Sequence, residues 1–142
     1  MNIVSNEYMV SNSSETDSVI QSFCEKLKPS STVLLNGDMG SGKTYISTRI
    51  ASFYGISNLN SSSFQRVTFH GGQINLIHCD FYRSPFNYNF FIEEIEPLMK
   101  SPWILLLEWF SLEYVLTEMG HIHQIFTKNT GRTQRAIKIC TY

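Results

Sequence analysis

The stretch Gly37-Asp38-Met39-Gly40-Ser41-Gly42-Lys43-Thr44 decides how the rest of the chain is read. It fits the phosphate-loop pattern G-x-x-x-x-G-K-[ST] and lies between a strand-like and a helix-like segment, as that pattern requires. Ahead of it, Thr32-Val33-Leu34-Leu35-Asn36 is β-branched and apolar and reads as a buried strand. Behind it, Ile46, Ile50 and Phe53 recur at i, i+4 and i+7, one face of a helix with Gly55 as its stop. The glycines let the backbone wrap a phosphate chain with its N–H groups, at the positive end of that helix. Lys43 then reaches the β- and γ-phosphates, and the Thr44 hydroxyl takes a place on Mg²⁺. The stretch implies a bound nucleoside triphosphate.

Working outward, 142 residues are enough for one domain (1–142) with a proper core, and leave little for a lid. Hydrophobic content of 42% with 16% charged residues describes an ordinary globular composition. A net charge of −1 supplies no global field for holding nucleic acid, so a link to RNA is expected to run through a partner. The three cysteines (Cys24, Cys79 and Cys140) are odd in number and widely spaced, which argues against a disulfide framework or zinc site. There is no basic-then-apolar start, and the apolar run Trp103 to Leu107 is too short to cross a bilayer, so the expected location is cytoplasmic, with no membrane partner.

Ile3 to Val10 is a weak strand candidate. Ser14-Glu15-Thr16-Asp17 resembles a capping box ahead of a helix whose inner face is Val19, Ile20, Phe23, Cys24 and Leu27 and which Pro29 ends. Gln65 to Phe69 and Gln73 to Asp80 read as strands joined by a His70-Gly71-Gly72 hairpin turn. Ile92, Ile95, Leu98 and Met99 predict a short helix with Glu93, Glu94 and Glu96 on its wet side. Trp103 to Leu107, apolar on both faces, predicts a central parallel strand. Leu112 to Met119 reads as helical, and His121 to Thr127 and Arg135 to Thr141 as two last strands around a Gly131 turn.

A phosphate loop also needs acids for the metal and the water. Glu108 ends the apolar strand and Asp80 ends the other candidate strand, and both compete for those roles. His78 and Cys79 are adjacent on a strand and point to opposite faces, which excludes their sharing one metal ion. His78 reads as a hydrogen-bonded structural histidine ahead of a catalytic one, and Arg83 as either a phosphate contact or an ion-pair residue. Lys128, Arg132, Arg135 and Lys138 read as a solvated strand face, with a partner contact as the alternative.

These residues together resemble the TsaE (YjeE) family, the small P-loop ATPases of bacterial tRNA threonylcarbamoyladenosine biosynthesis. The loop is close to that family's GDLGAGKT, and His78-Cys79-Asp80-Phe81-Tyr82-Arg83 matches HxDxYR. Glu108-Trp109 matches the EW pair, and Ser61-Ser62-Ser63-Phe64 stands where the family has SPTF. The resemblance implies that Gly40, Ser41, Gly42, Lys43, Thr44 and Tyr45 bind ATP, with Thr44 and Glu108 holding Mg²⁺. It implies catalytic roles for Lys43, Asp80 and Glu108, with Asp80 supporting the metal or the water. It also places Thr16 near the adenine, Trp109 beside the nucleotide and Ser63 as a switch-like hydroxyl. Losing the proline before Ser63 loosens that loop. The implied partners are the TsaD and TsaB subunits of the tRNA-modifying complex, with tRNA met indirectly.

The expected fold is a P-loop NTPase-like α/β three-layer sandwich, its central sheet mostly parallel and partly mixed, flanked by helices. The expected activity is Mg²⁺-dependent ATP hydrolysis that drives or resets the partner complex. The rival readings are a small-molecule or nucleoside kinase, suggested by Asp80-Phe81-Tyr82-Arg83, and a nucleotide-binding scaffold that does not hydrolyse.

Overall fold

The computed structural model describes residues 3–38, 40–57, 59 and 66–142. In chain order these form β1 (Val4–Val10), α1 (Ser13–Lys26), β2 (Ser31–Gly37), α2 (Lys43–Phe53), β3 (Val67–His70) and β4 (Asn75–Asp80). A broken helical segment (88–98) leads to β5 (Trp103–Glu108), and two short 3₁₀ turns lead to β6 (His121–Asn129) and β7 (Arg135–Thr141). One seven-stranded sheet results, in the order β1-β7-β6-β2-β5-β4-β3. Its centre, β6-β2-β5-β4, is parallel, and β3, β7 and β1 pair antiparallel at the two sides. The sheet is mixed with a parallel middle, in the manner of an α/β NTPase sandwich.

The alternation of strand side chains divides the core in two. Val33 and Leu35 of β2, Leu76 of β4 and Ile104 and Leu106 of β5 turn to the face covered by α1 and α2. Leu34, Ile77, Cys79, Trp103, Leu105 and Leu107 turn to the other face, against Phe81, Phe91, Ile95, Phe110 and Met119. Being covered on both sides, β5 is buried at every position, as its unbroken apolar run predicts.

Local chemistry corrects several expectations. The cap of α1 lies two residues earlier than Ser14: Asn12 Oδ1 accepts the Glu15 N–H at 2.9 Å, and Glu15 Oε1 accepts the Ser11 N–H at 3.1 Å. Asn12 is as good an N-cap as serine and leaves Ser14 inside the first turn. In α2 the buried face is Ile46, Ser47, Ile50 and Ala51, while Phe53, at the frayed end, is exposed. The 88–98 segment is α-helical over Tyr88–Phe90, π-helical over Phe91–Ile95 and 3₁₀ over Glu96–Leu98, with Pro97 unable to donate to a regular turn. Phe91 takes the buried place expected of Ile92, which is exposed. The stretch expected as a helix from Leu112 to Met119 is two separate 3₁₀ turns, Leu112–Tyr114 and Thr117–Met119. The hairpin strands run Val67–His70 and Asn75–Asp80, and Gln65 lies outside the described residues.

Candidate functional site

The phosphate loop joins the end of β2 to the start of α2. Gly42 caps α2 at φ 108°, a left-handed conformation that side chains rarely adopt, and a Cβ there would stand 2.6 Å from Arg135 Nη1. Gly37 runs so close to β6 that a Cβ would collide with the Thr127 carbonyl oxygen. The Ser41 hydroxyl hydrogen-bonds the Thr127 hydroxyl at 2.5 Å, tying the loop to β6. The loop is thereby held by its neighbours before any ligand is considered.

Lys43 is buried. Its ammonium donates to the carbonyls of Gly37 (2.5 Å) and Asp38 (2.8 Å) and stands 4.3 Å from the centre of the Trp109 ring. Burial pushes its pKa below the ordinary lysine value, against the opposing pull of Glu108, Asp38 and Asp80. Trp109 holds φ 58° and packs against Tyr82 at 4.9 Å. Such backbone strain in a non-glycine residue collects at binding sites.

Asp80 and Glu108 are register partners at the carboxyl ends of the adjacent parallel strands β4 and β5. An open parallel sheet presents its ligand crevice at those strand ends. Asp80 Oδ1 accepts the Tyr82 N–H at 2.9 Å, which fixes the turn after β4. Glu108 is 2% exposed, so it is no solvated strand end. Its Oε2 is 2.5 Å from His78 Nε2 and 3.3 Å from Ser47 Oγ. His78 is 3% exposed and lies on the α2 face, whereas Cys79 is buried in the opposite core, where desolvation pushes its thiol pKa far up.

These groups meet in a cleft of about 810 Å³, within the usual range for small-molecule and cofactor sites. Gly40, Gly42, Lys43, Thr44, Tyr45, Asp80, Glu108, Trp109 and Thr16 all line it. Ser41 is turned away to Thr127, and Ser63 lies outside the described residues. Thr16 is buried on α1, its hydroxyl donating to the Asn12 carbonyl at 3.3 Å. Nearby the Tyr45 hydroxyl donates to Asp17 Oδ1 at 2.5 Å, and Arg49 Nε meets the same oxygen at 3.2 Å, bracing α1 against α2.

Two arginines expected on a solvated strand face, Arg132 and Arg135, line the cleft instead. The turn between β6 and β7 leans over the phosphate loop, and Asn129 Nδ2 donates to the Gly40 carbonyl at 3.5 Å. Arg83 is exposed and lies outside the cleft lining. Ser47, which the sequence reading missed, stands one helical turn beyond Lys43 on the same face, a spacing that could have marked it. Nothing in the local sequence marks Arg135 as a cleft residue.

Among the described residues, no three His, Cys, Asp or Glu side chains gather as a metal-binding group. The oxygen donors that line the cleft (the Thr44 hydroxyl and the carboxylates of Asp80 and Glu108) suit Mg²⁺, which takes one or two carboxylates together with substrate phosphates and water. No described helix is long and apolar enough to cross a membrane.

A family model for "Threonylcarbamoyl adenosine biosynthesis protein TsaE" matches residues 10–137, a range that contains the whole cleft lining. The chain belongs to the TsaE family. It is similar to the tRNA threonylcarbamoyladenosine biosynthesis protein TsaE of Rickettsia bellii (strain RML369-C), at 31% identity over 86 residues, which is 58% of this chain and 60% of the relative. The TsaE protein of Rickettsia prowazekii (strain Madrid E) is 31% identical over 98 residues, 67% of each chain. The match spans 60% of the length of the TsaE proteins of Rickettsia bellii and Rickettsia felis. The fold of this TsaE-family chain is similar to that in the crystal structure of Bacillus subtilus YdiB, with a TM-score of 0.71 at 22% identity, covering 99% of this chain and 88% of that one.

Proposed function

We propose that this chain is a Mg²⁺-dependent ATPase subunit required for threonylcarbamoyladenosine modification of tRNA. It would act in the cytoplasm as a single P-loop domain (1–142), hydrolysing ATP to drive or reset a TsaD–TsaB complex. One observation carries the reading: two carboxylates stand side by side at parallel strand ends and line the same cleft as a phosphate-loop lysine and threonine.

In this reading the loop amides of Gly40, Ser41 and Gly42 and the Lys43 ammonium take the phosphates. Thr44 and Glu108 would hold Mg²⁺, which would supply charge neutralisation to the phosphates. Asp80 would support the metal or the attacking water. Thr16 and Tyr45 form the base end of the cleft. Trp109 lies beside the nucleotide, and a phosphate would draw Lys43 away from its ring and from the two carbonyls it meets. Arg132 and Arg135 bring positive charge to the cleft lining, where it would favour the negative charge of the phosphates.

The protein alone should hydrolyse ATP slowly and be stimulated by the partner pair, while tRNA alone binds weakly and is lost steeply with salt. Steady-state ATPase at fixed Mg²⁺ and salt, with the protein alone, with tRNA and with TsaD–TsaB, tests this. Strong stimulation by tRNA with none from the pair would replace the reading with a nucleic-acid-dependent ATPase.

A further inference from the structure

The geometry points to His78 as a positioning residue: by holding Glu108 Oε2 it reserves Oε1 for the metal bound with the nucleotide. This rests on Glu108 being the metal-holding carboxylate of the proposed ATPase.

Both described partners of the Glu108 carboxylate meet the same oxygen, Oε2: His78 Nε2 at 2.5 Å and Ser47 Oγ at 3.3 Å. No described residue hydrogen-bonds Oε1, and Glu108 lines the cleft. An ionised carboxylate only accepts, so the bond to His78 requires the proton on Nε2. Ser47 is the lesser partner, because its single proton is shared with the Lys43 carbonyl at 3.2 Å.

Burial makes the arrangement matter. His78 and Glu108 are 3% and 2% exposed, so neither can exchange the other for bulk water. Without the Nε2–H, the carboxylate loses its short charge-assisted bond and is free to rotate, presenting either oxygen to the cleft. Groups that orient a metal's carboxylate or imidazole ligand in this way typically change metal affinity or activity by about 10- to 100-fold when removed. The strand pattern supplies the pair: Asp80 is the register partner of Glu108, and His78, two residues earlier, shares its face of the sheet.

The test measures ADP affinity by calorimetry with and without saturating Mg²⁺, alongside melting temperature, in wild type, His78→Leu, His78→Gln, Ser47→Ala and Glu108→Gln. His78→Leu is expected to keep metal-free ADP affinity within about twofold and to lose about tenfold of the gain that Mg²⁺ gives. His78→Gln, whose amide nitrogen stands in for Nε2, should restore most of that gain, and Ser47→Ala should lose less than His78→Leu. An unchanged Mg²⁺ gain in folded His78→Leu overturns the proposal. So does an equal loss with and without metal that follows the fall in melting temperature, which is the mark of a purely structural histidine. If Glu108→Gln leaves the gain intact, the metal-holding role of Glu108 fails, and with it the proposal. If Glu108→Gln abolishes the gain and His78→Leu does not touch it, only the positioning role fails. Should His78→Leu not fold, a long-range ¹H–¹⁵N spectrum of the wild-type protein decides. A proton on His78 Nε2 whose resonance moves on binding Mg²⁺ and ADP supports the proposal, and a proton on Nδ1 alone overturns it.

Discussion

The two faces of the sheet are built to different standards. One is covered by α1 and α2, regular helices with matched apolar faces. The other is covered by a segment that changes helical pitch twice and by two 3₁₀ turns, and is filled by rings: Phe86 and Phe110 stack edge to face at 4.9 Å, and Phe81 meets Phe86 at 5.7 Å. The polar groups at the carboxyl ends of β4 and β5 (His78, Asp80 and Glu108) lie on the helical side. The residues between them point to the aromatic side. A phosphate loop needs a stiff helix start in a fixed place, so regularity is demanded where the ligand sits. Opposite, only apolar volume is needed, and aromatic rings supply it in irregular packing.

The sharpest way to break this comparison is to hollow out the aromatic face. Phe110→Ala and Phe91→Ala, both fully buried, should each cost about 3–5 kcal/mol of stability by denaturant titration. The protein that remains folded should still bind ADP within about twofold. A collapse of ADP affinity in folded Phe91→Ala would mean that the aromatic side shapes the cleft after all.

Next in size is Lys43→Ala on the helical side, which should lower ATP hydrolysis by about a hundredfold or more. Lys43 is buried and paired, where a loop lysine is ordinarily exposed. Yet the change also removes a desolvated cation whose pKa is already held down, so the melting temperature should barely fall. Near wild-type ATPase in a folded Lys43→Ala protein would end the phosphate-loop reading.

Asp80→Asn should lower turnover about tenfold and leave nucleotide affinity nearly unchanged, since the amide oxygen still accepts the Tyr82 N–H. A larger effect on affinity than on turnover would move Asp80 into the metal's own ligand set.

The smallest effect sharpens the contrast within the helical face. His123 packs edge-on against Phe23 at 5.4 Å, with Nδ1 3.0 Å from the Thr141 hydroxyl, and burial, then His121, lowers its pKa from 6.5. A histidine kept neutral by the fold is protonated first in the unfolded chain. Stability should therefore hold above pH 6.5 and decline as pH falls below it. Chemical denaturation across that range should show a shallower decline in His123→Gln, and an unchanged slope would assign the decline to other groups.

The parallel centre of the sheet was legible because its signals are local and agree: β2 and β5 carry apolar runs, and the glycines with Lys43 and Thr44 mark the passage from strand to helix. Glu108 and Asp80 were legible as strand ends. What the sequence could not show was carried by contacts between distant segments. Arg135 reaches Gly42 only because the turn from β6 to β7 folds over the loop, and the Asp17, Tyr45 and Arg49 brace joins two helices. The helical periodicity expected at Ile92 failed because an aromatic neighbour, Phe91, buries more area in the same place. The cap of α1 was misplaced because Asn12 and Ser14 both begin a plausible capping pattern, and only backbone geometry chooses between them.

The pairing of β1 with β7, which sets Val10 opposite Arg135, has a consequence for how the cleft holds together. Val10 and Arg135 are both walls of the cleft, yet they lie far apart in the chain and meet only through this ladder at the side of the sheet. Whatever frays that side of the sheet also opens the cleft, and a ligand seated between the two walls would clasp the two strands together.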